Sequence, residues 1–505
     1  MAGLHDLLLF AALLIAVTAL QFAALALFLT RRTVRPVLAV LFVATAFATF
    51  YMDRYSVFIN PEMLQNLLHT DWPEARELLT PALGKHLLLY AGLPLLVLSR
   101  VQIKPRPRSQ ALGVRVFTVL AALLLAGLMV VPQFRAVSSV VRNHREARHL
   151  ITPANYLSSG FRLARSAVAE PAGPRVVIAA DARRDSAATT SHRPKLLVLA
   201  VGETVRAANF GLSGYARDTT PELRTLDLVS YPRVQACGTS TEVSVPCMFA
   251  PVGRRDYDEA RIRREQSLLH VLDRVGLNVL WLDNQSGCKG VCDGLPAERI
   301  AGDADPVLCD GERCLDAVLL PRLAAAVAAE PGDLVVVLHL LGNHGPAYFR
   351  RYPDEFRRFT PTCDSGELSE CSDAQIVNAY DNAVFYTDHV LAEMIRYLQG
   401  VEGRDAALIY VSDHGESLGE NGIYLHGLPY SIAPAVQREV PMLMWLSPGL
   451  LQSTGVDENC LKAGAGGAVA HDHLFHSVLG LLDVSTSVHE PSLDLFAGCR
   501  RPAAG

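Results

Sequence analysis

The chain lacks an excess of basic residues, because its 46 Lys and Arg are outnumbered by 51 Asp and Glu and its formal net charge is −5. It also has no long run of like charge that would mark a binding tail. Proteins that hold nucleic acid through its phosphates present a basic surface. The charge balance therefore argues against nucleic acid as a partner.

Cysteine is absent from the first 236 residues, and all 10 cysteines lie in the rest of the chain. Eight cysteines lie in four pairs that are close in sequence: Cys237 with Cys247, Cys288 with Cys292, Cys309 with Cys314, and Cys363 with Cys371. Cys460 and Cys499 remain for each other. This even set predicts disulfides in an oxidising compartment, although the sequence leaves the pairing open. A zinc cluster is the alternative, which the lack of CxxC spacing disfavours.

Charged residues are sparse in the first 132 positions, whereas the remainder has the composition of a soluble protein. A chain of 505 residues exceeds what one hydrophobic core supports, so we expect at least two units. We predict a transmembrane helical domain over residues 1–133, bridging helices and a linker over 134–194, and a soluble domain over 195–505.

Four segments reach the roughly 20 apolar residues that a membrane-spanning helix needs. They are Leu4–Leu29, Val37–Ile59, Pro81–Leu98 and Ala111–Val131. The loop between the first and second segments and the loop between the third and fourth are rich in Arg, whereas residues 60–80 carry Arg76 among several acids. The positive-inside rule then puts residues 60–80 and everything after Val131 on the outer side. The first segment lacks the basic start of a signal peptide and is expected to be retained as an anchor.

Two stretches connect the membrane part to the rest. Residues 134–165 are basic and partly amphipathic, which suits an anionic membrane surface, with a solvated helix face as the alternative. Residues 166–194 lack a hydrophobic period and predict a linker.

Short apolar runs that lead into polar residues indicate parallel strands of an α/β fold, buried on both faces. The runs are Lys195–Val201, Asn278–Leu282, Leu334–Leu340, Ala407–Val411 and Pro441–Leu446. In such a sheet, functional groups gather beyond the carboxyl ends of the strands. The candidates in that position are Glu203, Asn284, Ser286, His344, Asp413 and His414.

These candidates include ligands that suit zinc, namely the carboxylates of Glu203 and Asp413 and the imidazole of His414, with His344 and His426 as further imidazoles. Asp413 and His414 can reach one ion if the chain turns sharply, which we expect Gly415 to permit.

Thr241 is the candidate nucleophile. It lies in the hydroxyl-rich run CGTSTEVSVPC, and we expect it to open a helix whose amino-terminal dipole favours a phosphate oxygen. A threonine hydroxyl is a poor nucleophile at neutral pH, so Thr241 needs a metal held by Glu203, Asp413 and His414. N-capping is the alternative for the hydroxyls of this run, and is expected for two of the three.

Five blocks carry a resemblance to a known family: GET at 202, CGTSTEVSVPCMF at 237, DNQSGCKGVCD at 283, LHLLGNHGPAYFRRYP at 338 and SDHGESLGENGIYLHGLPY at 412. Together they resemble the lipid A phosphoethanolamine transferases, which include the mobile colistin-resistance enzymes and are related to alkaline phosphatases and sulfatases. The resemblance implies a multi-pass protein of the bacterial inner membrane with a doubly wound α/β catalytic domain in the periplasm.

The resemblance also implies roles for individual residues. Residues that match the primary zinc site, with one or two Zn²⁺ per chain, are Glu203, Thr241, Asp413 and His414. Residues that match those holding the substrate phosphate or a second zinc are Ser286, Lys289, His344 and His426. Residues that match the contacts of the ethanolamine head are Asn66, Thr70 and Glu74, whose spacing would align them on one face of a helix.

The implied reaction moves phosphoethanolamine from phosphatidylethanolamine to Thr241 and then to lipid A or the lipopolysaccharide core, and a monomer is expected. His344 and His426 are candidate catalytic proton donors. The chain departs from the family in having four predicted spans rather than five, and in Glu242, where a small residue is usual. His471, Asp472 and His473 look like a metal cluster, but we expect them to begin a helix.

Three alternatives remain at this point. A sulfatase would need a Cys or Ser in a CxPxR-type context, which neither Cys237 nor Cys247 has. A phosphoglycerol transferase is disfavoured by the Asn66, Thr70 and Glu74 match. A membrane-anchored sensor with a dead catalytic domain is disfavoured because every expected metal ligand is present.

Overall fold

The computed structural model describes residues 4–169, 173–184 and 193–501. The backbone divides into two units, which we call the helical unit (up to residue 64, and 79–164) and the α/β unit (65–78, and 165 onwards). The segment 65–78 therefore belongs with the α/β unit, although it lies between two apolar helices in the sequence. The predicted boundaries at residues 133 and 194 stay a prediction.

Four helical stretches in the described residues have the length and hydropathy of membrane spans, in agreement with the four predicted segments. The helices up to residue 169 are α1 (Leu4–Phe28), α2 (Val34–Tyr55), α3 (Pro61–His69), α4 (Trp72–Glu77), α5 (Pro81–Leu87), α6 (Leu93–Arg100), α7 (Arg108–Val130), α8 (Phe134–Asn143) and α9 (Ala154–Ala169). A π-helical turn, Leu88–Gly92, joins α5 to α6. It precedes Pro94, which has no N–H for a regular helical hydrogen bond.

Helices α1 and α7 pack through a seam of small residues. The seam consists of Ala16, Ala19 and Ala23 with Ala122 and Ala126, all of which are buried. Small side chains let two apolar helices approach closely, so that van der Waals contact holds them together in a lipid environment.

The α/β unit contains the strands β1 (Arg183–Arg184), β2 (Lys195–Gly202), β3 (Val229–Gln235), β4 (Asn278–Asp283), β5 (Ala297–Arg299), β6 (Leu334–His339), β7 (Asp405–Ser412), β8 (Ser417–Leu418), β9 (Tyr424–Leu425), β10 (Glu439–Leu446), β11 (Val469–Ala470) and β12 (Val484–Ser485). The described residues form one eight-stranded sheet in the order β11-β3-β10-β7-β2-β6-β4-β5, and β1–β12 and β8–β9 form small pairs.

The helices that follow β2 in the α/β unit are α10 (Thr241–Met248), α11 (Glu259–Arg264), α12 (Leu268–Arg274), α13 (Leu319–Ala329), α14 (Asp373–Gln399), α15 (Ala435–Arg438), α16 (Pro448–Thr454), α17 (Glu458–Gly464) and α18 (Asp472–Leu481). Strands β2, β6 and β7 are buried along their whole length, as expected for a sheet covered on both faces. This confirms the predicted α/β class.

The five predicted strands are all present, but the direction expected for Pro441–Leu446 was wrong. The pairs β7–β2, β2–β6 and β6–β4 are parallel. Strand β10 is antiparallel to both β7 and β3. Gly415, which follows β7, donates its N–H to the carbonyl of Gln437 just before β10, at 3.0 Å. The chain therefore stays at the carboxyl edge of β7 and re-enters the sheet from there, which gives an antiparallel pair.

The linker predicted over residues 166–194 stays a prediction, although its described residues include a helical stretch and contacts with the core. Helix α9 continues to Ala169, and Ile178 and Ala179 join the hydrophobic core of the sheet. Arg184 pairs with Asp333, with 2.7 Å between nitrogen and oxygen. Residues 170–172 and 185–192 lie outside the described residues.

The cysteine pairing expected from spacing is confirmed. The disulfides are Cys237–Cys247, Cys288–Cys292, Cys309–Cys314, Cys363–Cys371 and Cys460–Cys499. The first of them closes the loop that leads into α10, so the position of Thr241 is fixed covalently on both sides.

Candidate functional site

The site lies where two central strands end. Glu203 follows β2, and Asp413 and His414 follow β7, its parallel neighbour, so their side chains meet at one edge of the sheet. Thr241 opens helix α10 as predicted. Glu203, Asp413 and His414 are completely buried, and Thr241 is 5% exposed.

The four side chains are in direct contact. The Thr241 hydroxyl donates to Glu203 Oε2 at 2.9 Å and lies 3.4 Å from His414 Nε2. His414 Nε2 is 3.3 Å from both Glu203 Oε1 and Asp413 Oδ2. Ligand atoms of Glu203, Asp413 and His414 all lie within 4.8 Å of one another, which is close enough to share one cation.

The donor set fits a divalent cation. Glu203 Oε1 and Asp413 Oδ2 are buried oxygens without a hydrogen-bond partner among the described residues. Buried carboxylate oxygens are costly unless a positive charge or a donor compensates them. Two carboxylates, an imidazole and a hydroxyl supply the oxygen and nitrogen ligands that zinc accepts.

Without a metal, a proton on His414 serves as the compensating charge. Burial disfavours the imidazolium, but Asp413 and Glu203 outweigh burial and raise the pKa of His414 to about 10. Burial and the charge of Glu203 raise the pKa of Asp413 to about 6. Burial opposes the charge of Glu203 too, yet the close approach and charge of His414 hold the pKa of Glu203 well below its usual range. The site therefore carries excess negative potential that attracts a cation.

Backbone contacts fix the orientation of His414. Its Nδ1 lies 2.9 Å from the carbonyl of Gly415, which leaves Nε2 facing the carboxylates. A Cβ on Gly415 would lie 2.0 Å from the carbonyl oxygen of Val436. Gly415 is thus needed for close backbone approach, at an ordinary φ, rather than for the unusual turn that we expected.

His426 lies beside His414, and His344 lies beside His426. The ring centroid of His426 is 4.4 Å from that of His414 and 5.8 Å from that of His344. His344 Nε2 lies 3.0 Å from Glu74 Oε1. Burial works against both charges, but the pair outweighs it, so the pKa of Glu74 falls to about 2 and the pKa of His344 is raised. The two form a buried ion pair beside the cluster.

Ser286 and Lys289 lie on the loop after β4. Lys289 Nζ donates to Ser286 Oγ at 2.7 Å. Gln285, the residue before Ser286, donates through Nε2 to Glu203 Oε2 at 2.8 Å and so joins this loop to the cluster. Asn284, by contrast, points to Asp316, with 2.8 Å between Nδ2 and Oδ1.

The trio Asn66, Thr70 and Glu74 does not lie along one helix, so that part of the prediction was wrong. Helix α3 ends at His69, and α4 begins at Trp72 with Asp71 as its N-cap, accepting from the Glu74 N–H at 3.0 Å. A continuous helix would set the ring of Pro73 against the carbonyl of His69. Thr70 Oγ1 instead donates to the carbonyl of Asn66 at 2.8 Å, and Glu74 is the member that reaches His344.

Two site residues escaped the sequence prediction. Gln285 contacts Glu203, and Glu416 Oε2 lies 3.3 Å from His426 Nδ1. Gln285 lies inside the block DNQSGCKGVCD and Glu416 inside SDHGES, so membership of these blocks was the signal that could have identified them.

Glu242 is 1% exposed on its side chain and pairs with Arg263 and His69 at 2.8 and 2.9 Å.

The other expectations for polar residues near the site are met in part. Ser240 occupies the N-cap position of α10 without a capping hydrogen bond from its side chain, and the Thr239 hydroxyl donates to the carbonyl of Leu428. The hydroxyl run is therefore not a set of helix caps.

His471 and Asp472 begin α18 as predicted, where His471 Nε2 lies 2.9 Å from the carbonyl of Ser412.

Comparisons with known proteins show the family of this chain. A family model described as Sulfatase matches residues 195–484, and one described as Phosphoethanolamine transferase EptA/EptB matches residues 17–168. Phosphoethanolamine transferase EptA of Salmonella typhimurium is 39% identical over 465 residues, which cover 90% of this chain and 84% of that protein. The chain belongs to the lipid A phosphoethanolamine transferase family. It is accordingly a phosphoethanolamine transferase by family.

Two further relatives of this transferase family extend the match. Phosphatidylethanolamine transferase Mcr-1 of Escherichia coli is 36% identical over 466 residues, covering 90% of this chain and 84% of that protein. The solved integral membrane protein lipooligosaccharide phosphoethanolamine transferase A (EptA) from Neisseria meningitidis superposes with a TM-score of 0.96 at 35% identity. That match covers 99% of this chain and 94% of the solved one.

Proposed function

We propose that this enzyme transfers phosphoethanolamine from phosphatidylethanolamine to lipid A or the lipopolysaccharide core through an intermediate on Thr241. The observation that carries the proposal is the Thr241 hydroxyl, held 2.9 Å from Glu203 Oε2 inside a buried cluster of metal ligands. A nucleophile and a cation site that compensates charge on the phosphoryl oxygens are the main parts of metal-assisted phosphoryl transfer.

Glu203, Thr241, Asp413 and His414 would hold the metal. A zinc ion bound there supplies Lewis acidity and lowers the pKa of the threonine hydroxyl. Glu203 Oε2 accepts the hydrogen bond of that hydroxyl and so aims a lone pair of Thr241 Oγ at an incoming phosphorus. Burial of the cluster excludes bulk water from the reacting atoms.

The reaction has two halves. In the first, Thr241 Oγ gives its proton to Glu203 Oε2 and forms a bond to phosphorus, the bond from phosphorus to the diacylglycerol oxygen breaks, and that oxygen takes a proton. His426 lies beside His414, and His344 lies beside His426, so these two residues can supply this proton. In the second, an oxygen of the acceptor lipid bonds to phosphorus and passes any proton it carries to the same histidine, the bond from phosphorus to Thr241 Oγ breaks, and Thr241 Oγ takes its proton back.

The donor and its headgroup contacts follow from the charges. Glu74 keeps its negative charge beside His344, where it is suited to a primary ammonium group, and Asn66 and Thr70 lie on the same segment. Ser286 and Lys289 provide a hydroxyl and a cation for phosphate oxygens. We place the α/β unit in the periplasm and the apolar helices in the inner membrane, and propose that the enzyme acts as a monomer.

The adduct itself tests the proposal. Purified protein incubated with phosphatidylethanolamine in the absence of lipid A is expected to gain one phosphoethanolamine group on the peptide that contains Thr241, detected by mass spectrometry. Addition of lipid A is expected to remove it and to increase the mass of lipid A by the same group. A glycerophosphate increment on Thr241 when phosphatidylglycerol replaces phosphatidylethanolamine would identify a phosphoglycerol transferase instead, and an unmodified peptide during turnover would exclude the intermediate.

Zinc binding is expected to release about one proton per ion near neutral pH. The pKa of His414 is raised to about 10 in the metal-free protein, so its imidazole holds a proton that the ion must displace. The apparent affinity for zinc should therefore rise about tenfold per unit of pH between about pH 6.5 and 8. Calorimetric titrations in buffers of different ionisation enthalpy measure the number of protons released. An affinity that does not depend on pH would contradict the assigned ligand set.

A further inference from the structure

The segment 65–78 is fixed to the rest of the α/β unit by charged side chains from His69 to Glu77. The ion pairs are His69–Glu242, Asp71–Arg299, Asp71–Arg313, Glu74–His344, Arg76–Glu312, Glu77–Arg350 and Glu77–Arg351. They differ in burial. The side chains of Glu77 and Arg351 are 5% and 2% exposed, whereas those of Arg76 and Glu312 are 60% and 30% exposed.

One end of the segment holds His344 by two routes. Glu74 contacts the His344 ring at Nε2, 3.0 Å away. Glu77, three residues later on α4, pairs with Arg351, and Arg351 Nε donates to the main-chain carbonyl of His344 at 2.7 Å. Glu77 and Glu74 therefore fix the backbone and the ring of the same histidine.

The other end of the segment contacts the helix that carries the nucleophile. His69 Nδ1 lies 2.9 Å from the carboxylate of Glu242, the residue after Thr241. Arg263 pairs with the same carboxylate oxygen at 2.8 Å. The segment thus joins the helix that Thr241 opens to the loop that carries His344.

A group on Thr241 can leave in two ways. If a lipid oxygen attacks phosphorus, the P–O bond to Thr241 breaks and the lipid is modified. If water attacks, the same bond breaks, Thr241 regains a proton and free phosphoethanolamine is released. Because the site activates oxygen nucleophiles in general, the barrier against water must come from how tightly the surroundings of Thr241 are held.

We propose that Glu77 and Arg351 are positioning residues that make the intermediate selective for a lipid acceptor over water. The buried pair keeps α4 in place and so holds Glu74 against the ring of His344, which lies beside His426 at the cluster. The idea rests on the proposed function, because it needs the intermediate on Thr241.

Glu77→Gln tests this, since it keeps the shape of the side chain and leaves the buried Arg351 without its counter-charge. The full-length protein is supplied with radiolabelled phosphatidylethanolamine and lipid A in detergent micelles, and diacylglycerol, modified lipid A and free phosphoethanolamine are measured. We expect transfer to lipid A to fall about tenfold or more. We also expect the ratio of free phosphoethanolamine to diacylglycerol to rise severalfold.

Arg76→Gln is the matched control, because it removes an exposed ion pair from the same helix and should leave the ratio unchanged. Glu77→Asp retains the charge and should give a ratio between wild type and Glu77→Gln. It also decides the question by the same criterion if Glu77→Gln does not fold. A wild-type ratio in the folded variant would overturn the idea, even if turnover is slower. If the wild-type protein releases no diacylglycerol, the proposed function itself fails.

Discussion

Thr241→Ala is expected to abolish diacylglycerol release from phosphatidylethanolamine, with a loss of about 10⁴-fold or more, because no other hydroxyl takes the place of a lost nucleophile. The alanine removes the oxygen that donates to Glu203 and leaves Glu203, Asp413 and His414 in place. The variant should therefore fold and retain bound metal. Diacylglycerol release by the purified protein, with metal content measured in parallel, checks both statements.

Two matched variants separate the hydroxyl of Thr241 from its surroundings. Thr241→Ser keeps an oxygen at the same position and should retain part of the activity. Thr239→Ala removes a hydroxyl from the same loop, which donates to the Leu428 carbonyl rather than to the cluster, and should be close to wild type. Wild-type turnover by Thr241→Ala would remove this residue from the mechanism.

Glu203→Gln is expected to lower turnover by about 10³-fold or more and to reduce bound zinc, because it deletes a charged ligand that also orients Thr241. Glu203 is completely buried and contacts Thr241, His414 and Gln285. Substitution by Gln preserves the volume, so the loss reports charge and ligation rather than packing. Removal of the metal by a chelator should reproduce the loss in the wild-type protein, and added zinc should restore activity.

Glu222→Gln is the control for this prediction. Glu222, His389 and Glu393 form a second group of metal-type side chains in the described residues, half-buried, but Arg396 already pairs with both carboxylates. Zinc content and turnover should be unchanged in this variant. Full activity of Glu203→Gln, or of a protein whose metal content has been reduced to background, would rule out metal-assisted transfer.

The sequence was sufficient for the strands and for the cluster at their ends. Lys195–Gly202 and Asp405–Ser412 are buried on both faces, and a strand of that kind must be a continuous apolar run, which is visible without a structure. The polar residue after each run then has a defined place at the edge of the sheet. Glu203 and Asp413 were found in that way, and the structure brings them together.

The contacts made by residues 65–78 could not be predicted, because they depend on partners that lie far away in the sequence. Glu74 meets His344, and Glu77 meets Arg351, through pairings that no local pattern encodes. The break between α3 and α4 depended on a capping aspartate and on Pro73, signals that a spacing argument from Asn66 to Glu74 overlooked. The antiparallel direction of Pro441–Leu446 likewise follows from the path of the preceding loop rather than from the strand's own residues.

The assignment of residues 65–78 to the α/β unit affects any protein made without the apolar helices. A fragment that starts near residue 165 would have no Glu77 to neutralise the nearly buried guanidinium of Arg351, and no Glu74 beside the ring of His344. The pKa of His344 in such a fragment would then differ from its pKa in the intact enzyme, because the charge of Glu74 is missing. Inhibitors selected on such a truncated domain would be fitted to a surface that the intact enzyme does not present.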